Sequence, residues 1–113
     1  MTIAGLDPET VEPEYGLRQY EVTVAPALGM AAGDRAIATR ELIRECGRRQ
    51  GLRATFSPKP FADGVGNVAH VHFSLQDQDG RNATADPAHP SGASHLARSF
   101  IAGLLHHAAE IAA

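Results

Sequence analysis

The segment from Lys59 to Ser74 constrains the fold of this chain more than any other part of its sequence. It begins with a Lys-Pro corner, continues through a glycine-containing loop and ends in the pattern His70-x-His72-x-Ser74. Side chains alternate along a β-strand, so the two imidazoles and the hydroxyl would lie on one face of a strand over residues 69–76. We interpret this face, beside a flexible loop, as a site for a metal ion and a phosphate.

The hydrophobic pattern of the chain predicts an α+β fold with the element order β-α-β-β-α. Alternating polar and apolar residues indicate strands, and apolar residues at helical spacing indicate helices. The predicted elements cover residues 18–25, 31–50, 52–56, 69–76 and 95–112. Ser94 is expected to cap the last helix, which is apolar almost all round. Residues 1–13 contain prolines and acids and are predicted to be irregular.

The composition excludes several classes of protein. The 113 residues allow one domain at most, and a net charge of −3 with a single lysine leaves no basic patch for nucleic acid. No apolar run is long enough to cross a bilayer, and the N-terminus lacks the pattern of a signal peptide. The single cysteine, Cys46, cannot form an internal disulfide. We therefore expect a cytoplasmic chain that binds neither nucleic acid nor membrane.

Three motifs occur in order along the chain. Glu14-Tyr-Gly-Leu-Arg-Gln-Tyr-Glu21 comes first, and Ala54-Thr-Phe-Ser-Pro-Lys-Pro60 follows it. The third motif joins a Lys-Pro pair to a Gly-rich turn and His-x-x-x-Ser, here Lys59, Gly66, Asn67, His70 and Ser74. Together they resemble the catalytic domain of glutamine synthetases and the related gamma-glutamyl-amine ligases. The family's first two segments read Glu-Tyr-Gly-Pro-Gly-Gln-Phe-Glu and Ala-Thr-Phe-Met-Pro-Lys-Pro, and the third is its nucleotide-site signature.

The resemblance implies a role for most residues of these motifs. Glu14 and Glu21 would hold a divalent ion near glutamate, and His70 would bind a second ion between the nucleotide phosphates. These three are the implied catalytic and metal-binding residues. The implied nucleotide contacts are His72, Ser74 and Lys59, and the implied glutamate contacts are Gly66 and Asn67. Gln19 is expected to serve the strand rather than the chemistry.

The implied reaction joins glutamate to ammonia or a larger amine through a gamma-glutamyl phosphate. ATP would be the co-substrate and Mg²⁺ or Mn²⁺ the cofactor. Residues 14–113 would form part of the family's catalytic domain, an antiparallel sheet with helices on one face, in a longer chain that assembles into a homo-oligomeric ring. The family's further acidic ligands, its phosphate-clamping arginines and the acid that deprotonates ammonium have no counterpart here. We therefore expect no ligase activity from this polypeptide alone.

Several positions depart from the family pattern. Leu17 and Arg18 stand where the family usually has Pro-Gly, and Ser57 replaces Met. Val65 and Val68 replace the residues usual in and beside the Gly-rich turn. Because a β-branched residue disfavours positive φ, Val68 would distort this loop if the turn needs the freedom of glycine.

Two other interpretations stay open. The departures at Arg18 and in the Gly-rich turn favour a truncated, non-catalytic remnant that binds metal or nucleotide weakly. His70 and His72 with Glu21 would instead form the site of a small metal-binding α+β module unrelated to ligases. Binding of ATP together with Mn²⁺ favours the ligase, whereas binding of a transition metal without nucleotide favours the module.

Overall fold

The computed structural model describes residues 5–112, which form two compact units. The first unit extends to Ala69 and contains a two-stranded sheet and one long helix. The second unit begins at His70 and contains two helices. The α+β class is confirmed, but the element order within the described residues is β-β-α-α-α rather than the predicted β-α-β-β-α.

The sheet is an antiparallel hairpin of β1 (Pro8–Pro13) and β2 (Tyr20–Val24). Its register places Thr10 opposite Thr23, whose hydroxyl accepts a bond from the Thr10 amide at 3.0 Å. The prediction that residues 1–13 are irregular is wrong for Pro8–Pro13, and residues 1–4 lie outside the described range. Proline cannot donate to a ladder, but both prolines of β1 stand at its ends, where that loss is tolerated.

Helix α1 (Met30–Arg49) confirms the helix predicted over residues 31–50. Gly51 follows it in the left-handed conformation, at φ 70°. This turn of the backbone brings the Leu52 amide to the Gly47 carbonyl at 2.8 Å, so one of the last free carbonyls of the helix is satisfied. Glycine adopts this conformation at little steric cost, which explains why the helix ends here.

The last turn of α1 carries a surface ion-pair network around Glu45. Its carboxylate accepts bonds from Arg48 Nε at 2.7 Å and from Arg49 Nε at 2.8 Å. Both bonds favour the ionised carboxylate, and they lower the pKa of Glu45 from 4.5 to about 2. The same bonds raise the pKa of each guanidinium. Because the network lies at the surface, it contributes little to stability at neutral pH.

Arg35 of α1 ties the helix to the ends of the hairpin. Its Nη2 lies 3.3 Å from the Asp7 carboxylate, and its Nη1 donates to the Ala25 carbonyl at 3.3 Å. Buried side chains are few in the described part of this unit, namely Leu6 at 5% exposure and Thr39 at 7%. The position of α1 therefore depends on this arginine as well as on apolar burial.

The strand predicted over residues 52–56 is not formed. The ring of Phe56 instead lies under the guanidinium groups of Arg40 and Arg44, whose carbons are 5.0 and 5.4 Å from the ring centroid. The alternation in this segment therefore reflects packing of one apolar side chain against α1. Alternation predicts which side chains are covered, but a strand also requires a hydrogen-bonded neighbour, which alternation does not supply.

The strand predicted over residues 69–76 is not formed either. Gln76 alone makes a bridge, to Asn82, and the Thr84 hydroxyl accepts a bond from the Leu75 amide at 2.6 Å. These contacts close a turn between residues 75 and 84. Because no strand forms, nothing in the backbone places His70 and His72 on the one common face that the sequence predicts.

Helix α2 (His95–His106) begins where the sequence predicts, because the Ser94 hydroxyl caps it. Ser94 Oγ accepts a bond from the Ala97 amide at 3.1 Å and donates to the Ala83 carbonyl at 2.6 Å. One side chain thus satisfies a free amide of the first helical turn and holds the preceding loop against it.

The single helix predicted over residues 95–112 is divided in the structure. His107, at φ −101° and ψ 18°, separates α2 from a short helix α3 (Ala108–Ile111). On α2 the ring of Phe100 meets that of Phe73 edge to face, with centroids 5.2 Å apart, which is a favourable geometry. Among the helices of the described range, none is both long and apolar enough to cross a membrane.

Candidate functional site

The β1–β2 hairpin presents the two glutamates of the first motif. Glu14 follows β1 directly, and Glu21 is the second residue of β2. The loop between them is closed by backbone bonds from the Glu14 amide to the Gln19 carbonyl at 2.9 Å and from the Gln19 amide to the Gly16 carbonyl at 3.0 Å. Both carboxylates are exposed, and among residues 5–112 neither forms an ion pair. They are accessible to a cation from solvent.

The side chain of Gln19 joins this hairpin to the Gly-rich loop, 47 residues further along the chain. Its Oε1 accepts a bond from the Gly16 amide at 2.8 Å. Its Nε2 donates to the Gly66 carbonyl at 2.9 Å and to Asn67 Oδ1 at 2.8 Å. The structure therefore brings the loop between the two candidate metal carboxylates into contact with the candidate substrate loop, with Gln19 as the connection.

The Gly-rich loop is held by its own residues. The Asn67 amide donates to the Pro58 carbonyl at 2.8 Å, and Asn67 Nδ2 donates to the Ser57 carbonyl at 2.7 Å. Lys59 Nζ donates to the Gly64 carbonyl at 2.5 Å, so the only lysine of the chain closes the loop in this structure. Lys59 and Asn67, which are both predicted to act on ligands, thus also shape the loop.

Gly66 is required by close approach rather than by its backbone angle. A Cβ at this position would lie 3.0 Å from the Pro58 carbonyl oxygen, which belongs to the backbone and cannot easily move. Gly66 is not among the glycines of positive φ. Val68 likewise lies outside the positive-φ region, so the distortion expected from its β-branched side chain does not occur.

Arg18 is the departure from the family pattern that does matter to the backbone. It has a φ of 60°, in the left-handed region where glycine is the usual residue. The family's glycine at this position therefore has a physical reason, which is the turn between Glu14 and Glu21. Arg18 adopts the same turn conformation, but its backbone is strained.

The remaining predicted site residues lie in the second unit. His70, His72 and Ser74 are all exposed, and their side chains form no hydrogen bond within the described residues. Ser74 borders an open cavity of about 500 Å³, whose lining also includes Leu75, Gln76, Gly80, Asn82, Thr84 and Ala85. These side chains are free to meet a ligand, and their assignment to nucleotide and metal stays a prediction.

The hairpin carboxylates suit a hard divalent cation. In the part of the chain that the structure describes, no three His, Cys, Asp or Glu side chains converge as a complete metal cage. Mg²⁺ does not need such a cage, because it keeps several waters and is usually held by one or two carboxylates together with substrate phosphates. Glu14 and Glu21 provide donors of this kind, so the residues present fit the ion.

The sequence predicts that Gln19 serves the strand, and it does not reveal the hydrogen bonds of Gln19 to the Gly-rich loop. The structure also explains Gly16, since a Cβ there would lie 2.7 Å from Gln19 Oε1. A glycine three residues before a glutamine, between two glutamates, is the signal that could have revealed this arrangement. The partner 47 residues away could not have been found from local pattern alone.

The hairpin with its two exposed glutamates, the Gly-rich loop bonded to it through Gln19 and the Lys-Pro corner are the parts of the structure that carry the sequence resemblance. The sequence profile of the family described as glutamine synthetase, catalytic domain, matches residues 1–113. The chain belongs to this family, and the predicted resemblance and fold class are confirmed.

Individual relatives agree with this membership. The chain is 40% identical over 103 residues to gamma-glutamylpolyamine synthetase of Streptomyces coelicolor, which covers 91% of this chain and 22% of that protein. It is 43% identical over 98 residues to glutamine synthetase of Mycolicibacterium smegmatis, covering 87% of the chain and 21% of the relative. It is 35% identical over 113 residues to glutamate–isopropylamine ligase of a Pseudomonas species, covering 100% of the chain and 25% of the relative.

A solved structure shares the fold. The crystal structure of a novel glutamine synthase homolog superposes with a TM-score of 0.85 at 48% identity, over 92% of this chain and 24% of that one. This chain therefore spans about a quarter of the length of the relatives that it matches. The relatives named above are carbon–nitrogen ligases.

Proposed function

We propose that this chain supplies part of the active site of an ATP-dependent ligase that joins glutamate to an amine. The observation that carries the proposal is the Gln19 link, which fixes the hairpin of Glu14 and Glu21 against the loop of Gly66 and Asn67. Two of the three motifs are thereby adjacent, as a common site requires. Family membership and the names of the relatives support the reaction class.

The chemistry explains why carboxylates and a backbone-lined loop belong together. A carboxylate does not condense with an amine in water, so ATP would first convert the γ-carboxylate of glutamate to an acyl phosphate with release of ADP. The amine would then attack the acyl carbon, and phosphate would leave. A divalent ion, when bound, neutralises the charge that develops as phosphate passes between two anions. Glu14 and Glu21 would hold that ion, and the loop around Gly66 would place the glutamate backbone beside it.

The nucleotide-facing part of the site is proposed for the second unit. His70 would be a ligand to an ion at the nucleotide phosphates, and His72 and Ser74 would contact the nucleotide. The exposure of all three supports this role, because no protein partner occupies their polar atoms within the described residues. Lys59, in the first unit, would contact phosphate only by giving up its bond to the Gly64 carbonyl.

The amine is left open between ammonia and a larger amine. The relatives include proteins named for glutamine, for polyamines and for isopropylamine, at similar identity. As part of a longer chain, this segment would work within a homo-oligomeric ring whose other residues complete the site.

The proposal is tested by combining ligand binding with turnover. Mn²⁺ and ATP together should raise the melting temperature of the chain, since a ligand at 100 times its Kd stabilises by about 2.7 kcal/mol. Formation of gamma-glutamyl hydroxamate from glutamate, hydroxylamine, ATP and Mn²⁺ should stay at background. Turnover well above background would contradict the claim that the site is partial.

Matched variants locate the effect. Glu14→Gln and His70→Ala should each reduce the stabilisation by Mn²⁺ and ATP, whereas the exposed controls Glu9→Gln and His95→Ala should not. Stabilisation by a transition metal with no contribution from ATP would support the small metal-binding module instead. An unchanged shift in His70→Ala would remove His70 from the site.

A further inference from the structure

We propose that Gln19 is a positioning residue that sets the spacing between the metal carboxylates of the hairpin and the glutamate-binding loop. The proposal rests on the proposed function for the identity of those two ligands. Its mechanical part, the fixing of one loop against the other, rests on hydrogen-bond geometry alone. It assigns Gln19 a function that its place beside a strand does not reveal.

The carbonyl oxygen of the Gln19 side chain and both of its amide hydrogens form hydrogen bonds. Oε1 accepts from the Gly16 amide at 2.8 Å, while the two Nε2 hydrogens are directed to the Gly66 carbonyl at 2.9 Å and Asn67 Oδ1 at 2.8 Å. An acceptor on one side and two donors on the other match a primary amide. The side chain is half-buried, so an unmatched group here would lose its bonds to protein without full replacement by water.

Other residues at position 19 would fail for definable reasons. Glutamate has the length of glutamine but no donor, so its carboxylate would face the Gly66 carbonyl and Asn67 Oδ1 as a third acceptor. Asparagine has the amide but is one methylene too short to reach both loops. Methionine fills similar space and makes none of the three bonds.

Both ends of the connection are built to receive it. At the hairpin end, a Cβ on Gly16 would lie 2.7 Å from Gln19 Oε1 and 3.2 Å from Gln19 Cβ, so a larger residue at position 16 would displace the Gln19 amide. At the loop end, Asn67 is itself held by bonds from its amide to the Pro58 carbonyl at 2.8 Å and from Nδ2 to the Ser57 carbonyl at 2.7 Å. The amide of Gln19 therefore bonds to acceptors whose positions are already fixed. A movement of either loop would be passed to the other loop through these bonds.

The functional consequence concerns distance. Gln19 lies in the loop between Glu14 and Glu21, so a shift of its side chain would move the carboxylates relative to the Gly-rich loop. Reacting groups must be placed within a fraction of an ångström for efficient transfer. Loss of the Gln19 bonds should therefore uncouple the two loops while each keeps its own local structure.

The experiment uses the ¹⁵N-labelled chain with Mn²⁺ alone as a paramagnetic probe. In the wild type, Mn²⁺ should broaden the amide signals of residues 14–21 and also those of Gly66 and Asn67. In Gln19→Glu the broadening should persist in residues 14–21 and fall severalfold at Gly66 and Asn67. Gln50→Glu, the same change at an exposed position after α1, is the control and should match the wild type. A merely stabilising residue would not change this pattern.

The outcomes separate the two proposals. Equal broadening at Gly66 in the wild type and in Gln19→Glu would overturn the positioning function of Gln19. If Mn²⁺ broadens no signal in the wild type, the proposed metal site is refuted. The positioning function of Gln19 is then tested by amide hydrogen exchange without metal. The Asn67 amide should exchange about tenfold faster in Gln19→Glu than in the wild type. Unchanged exchange would overturn the proposal, and Gln19→Met replaces Gln19→Glu if the latter does not fold.

Discussion

Replacing Arg18 by glycine should stabilise the hairpin loop, although it removes a side chain. Arg18 has φ 60°, and the left-handed conformation costs an L-residue about 1–2 kcal/mol. Glycine relieves this strain but raises the entropy of the unfolded chain, which costs about 0.5–1 kcal/mol. The net effect of Arg18→Gly is therefore a gain of about 0.5–1 kcal/mol in the free energy of unfolding. Arg18 is exposed and forms no ion pair within the described residues, so little else is lost.

The neighbouring residue provides a matched control. Leu17 is 91% exposed and is not among the residues of positive φ, so Leu17→Gly incurs the entropic cost without relief of strain. It should lower the free energy of unfolding by about 0.5–1 kcal/mol. Arg18→Asn should fall between the wild type and Arg18→Gly, because asparagine tolerates the left-handed region better than arginine does.

Urea unfolding followed by far-ultraviolet circular dichroism measures these differences. The slope of the free energy with urea should be equal in all four proteins, so that midpoint shifts report stability. The two glycine variants should differ by about 1–2 kcal/mol, which is the strain at Arg18. Equal destabilisation by Arg18→Gly and Leu17→Gly would refute the claim that Arg18 is strained.

Three further predictions follow from single contacts. Ser94→Ala should lower the free energy of unfolding by about 1 kcal/mol, measured by thermal melting, because the hydroxyl caps α2; an unchanged melting temperature would contradict the capping assignment. Gly66→Ala should lower the melting temperature, since a Cβ would meet the Pro58 carbonyl at 3.0 Å; an unchanged melting temperature would show that the loop accommodates the Cβ without strain. Glu45 has a pKa lowered from 4.5 to about 2, so its stabilisation is complete above pH 4.5 and disappears as the pH falls through about 2. Because the network is exposed, the wild type should lose only slightly more helix than Glu45→Gln between pH 5 and pH 2, measured by circular dichroism; equal losses would exclude the carboxylate as the cause.

The helices could be predicted from the sequence because their signals are local. Apolar residues at helical spacing predict a helix over residues 31–50, and Ser94 marks the start of α2. The strands were harder, since a strand exists only with a neighbour. Pro8–Pro13 finds its neighbour across a short loop despite its prolines, whereas residues 69–76 alternate well and have none beyond one bridge.

The motifs propose Glu14, Glu21, Gly66 and Asn67 as residues of the candidate site by their order along the chain. They do not predict how these residues are connected. The link through Gln19 depends on a contact across 47 residues, which no local pattern contains. The sequence names both Arg18 and Val68 as departures, and only the coordinates show that Arg18 has a positive φ and Val68 does not.

Titration calorimetry with Mn²⁺ tests the central claim most directly, namely that the hairpin carries the metal carboxylates of a glutamate–amine ligase. The wild type and the control Glu9→Gln should bind Mn²⁺ with the same affinity. The double variant Glu14→Gln/Glu21→Gln should lose at least tenfold in affinity, because neutral amides cannot replace two carboxylates at a hard cation. Equal binding by all three proteins would contradict the assignment of these glutamates to the metal.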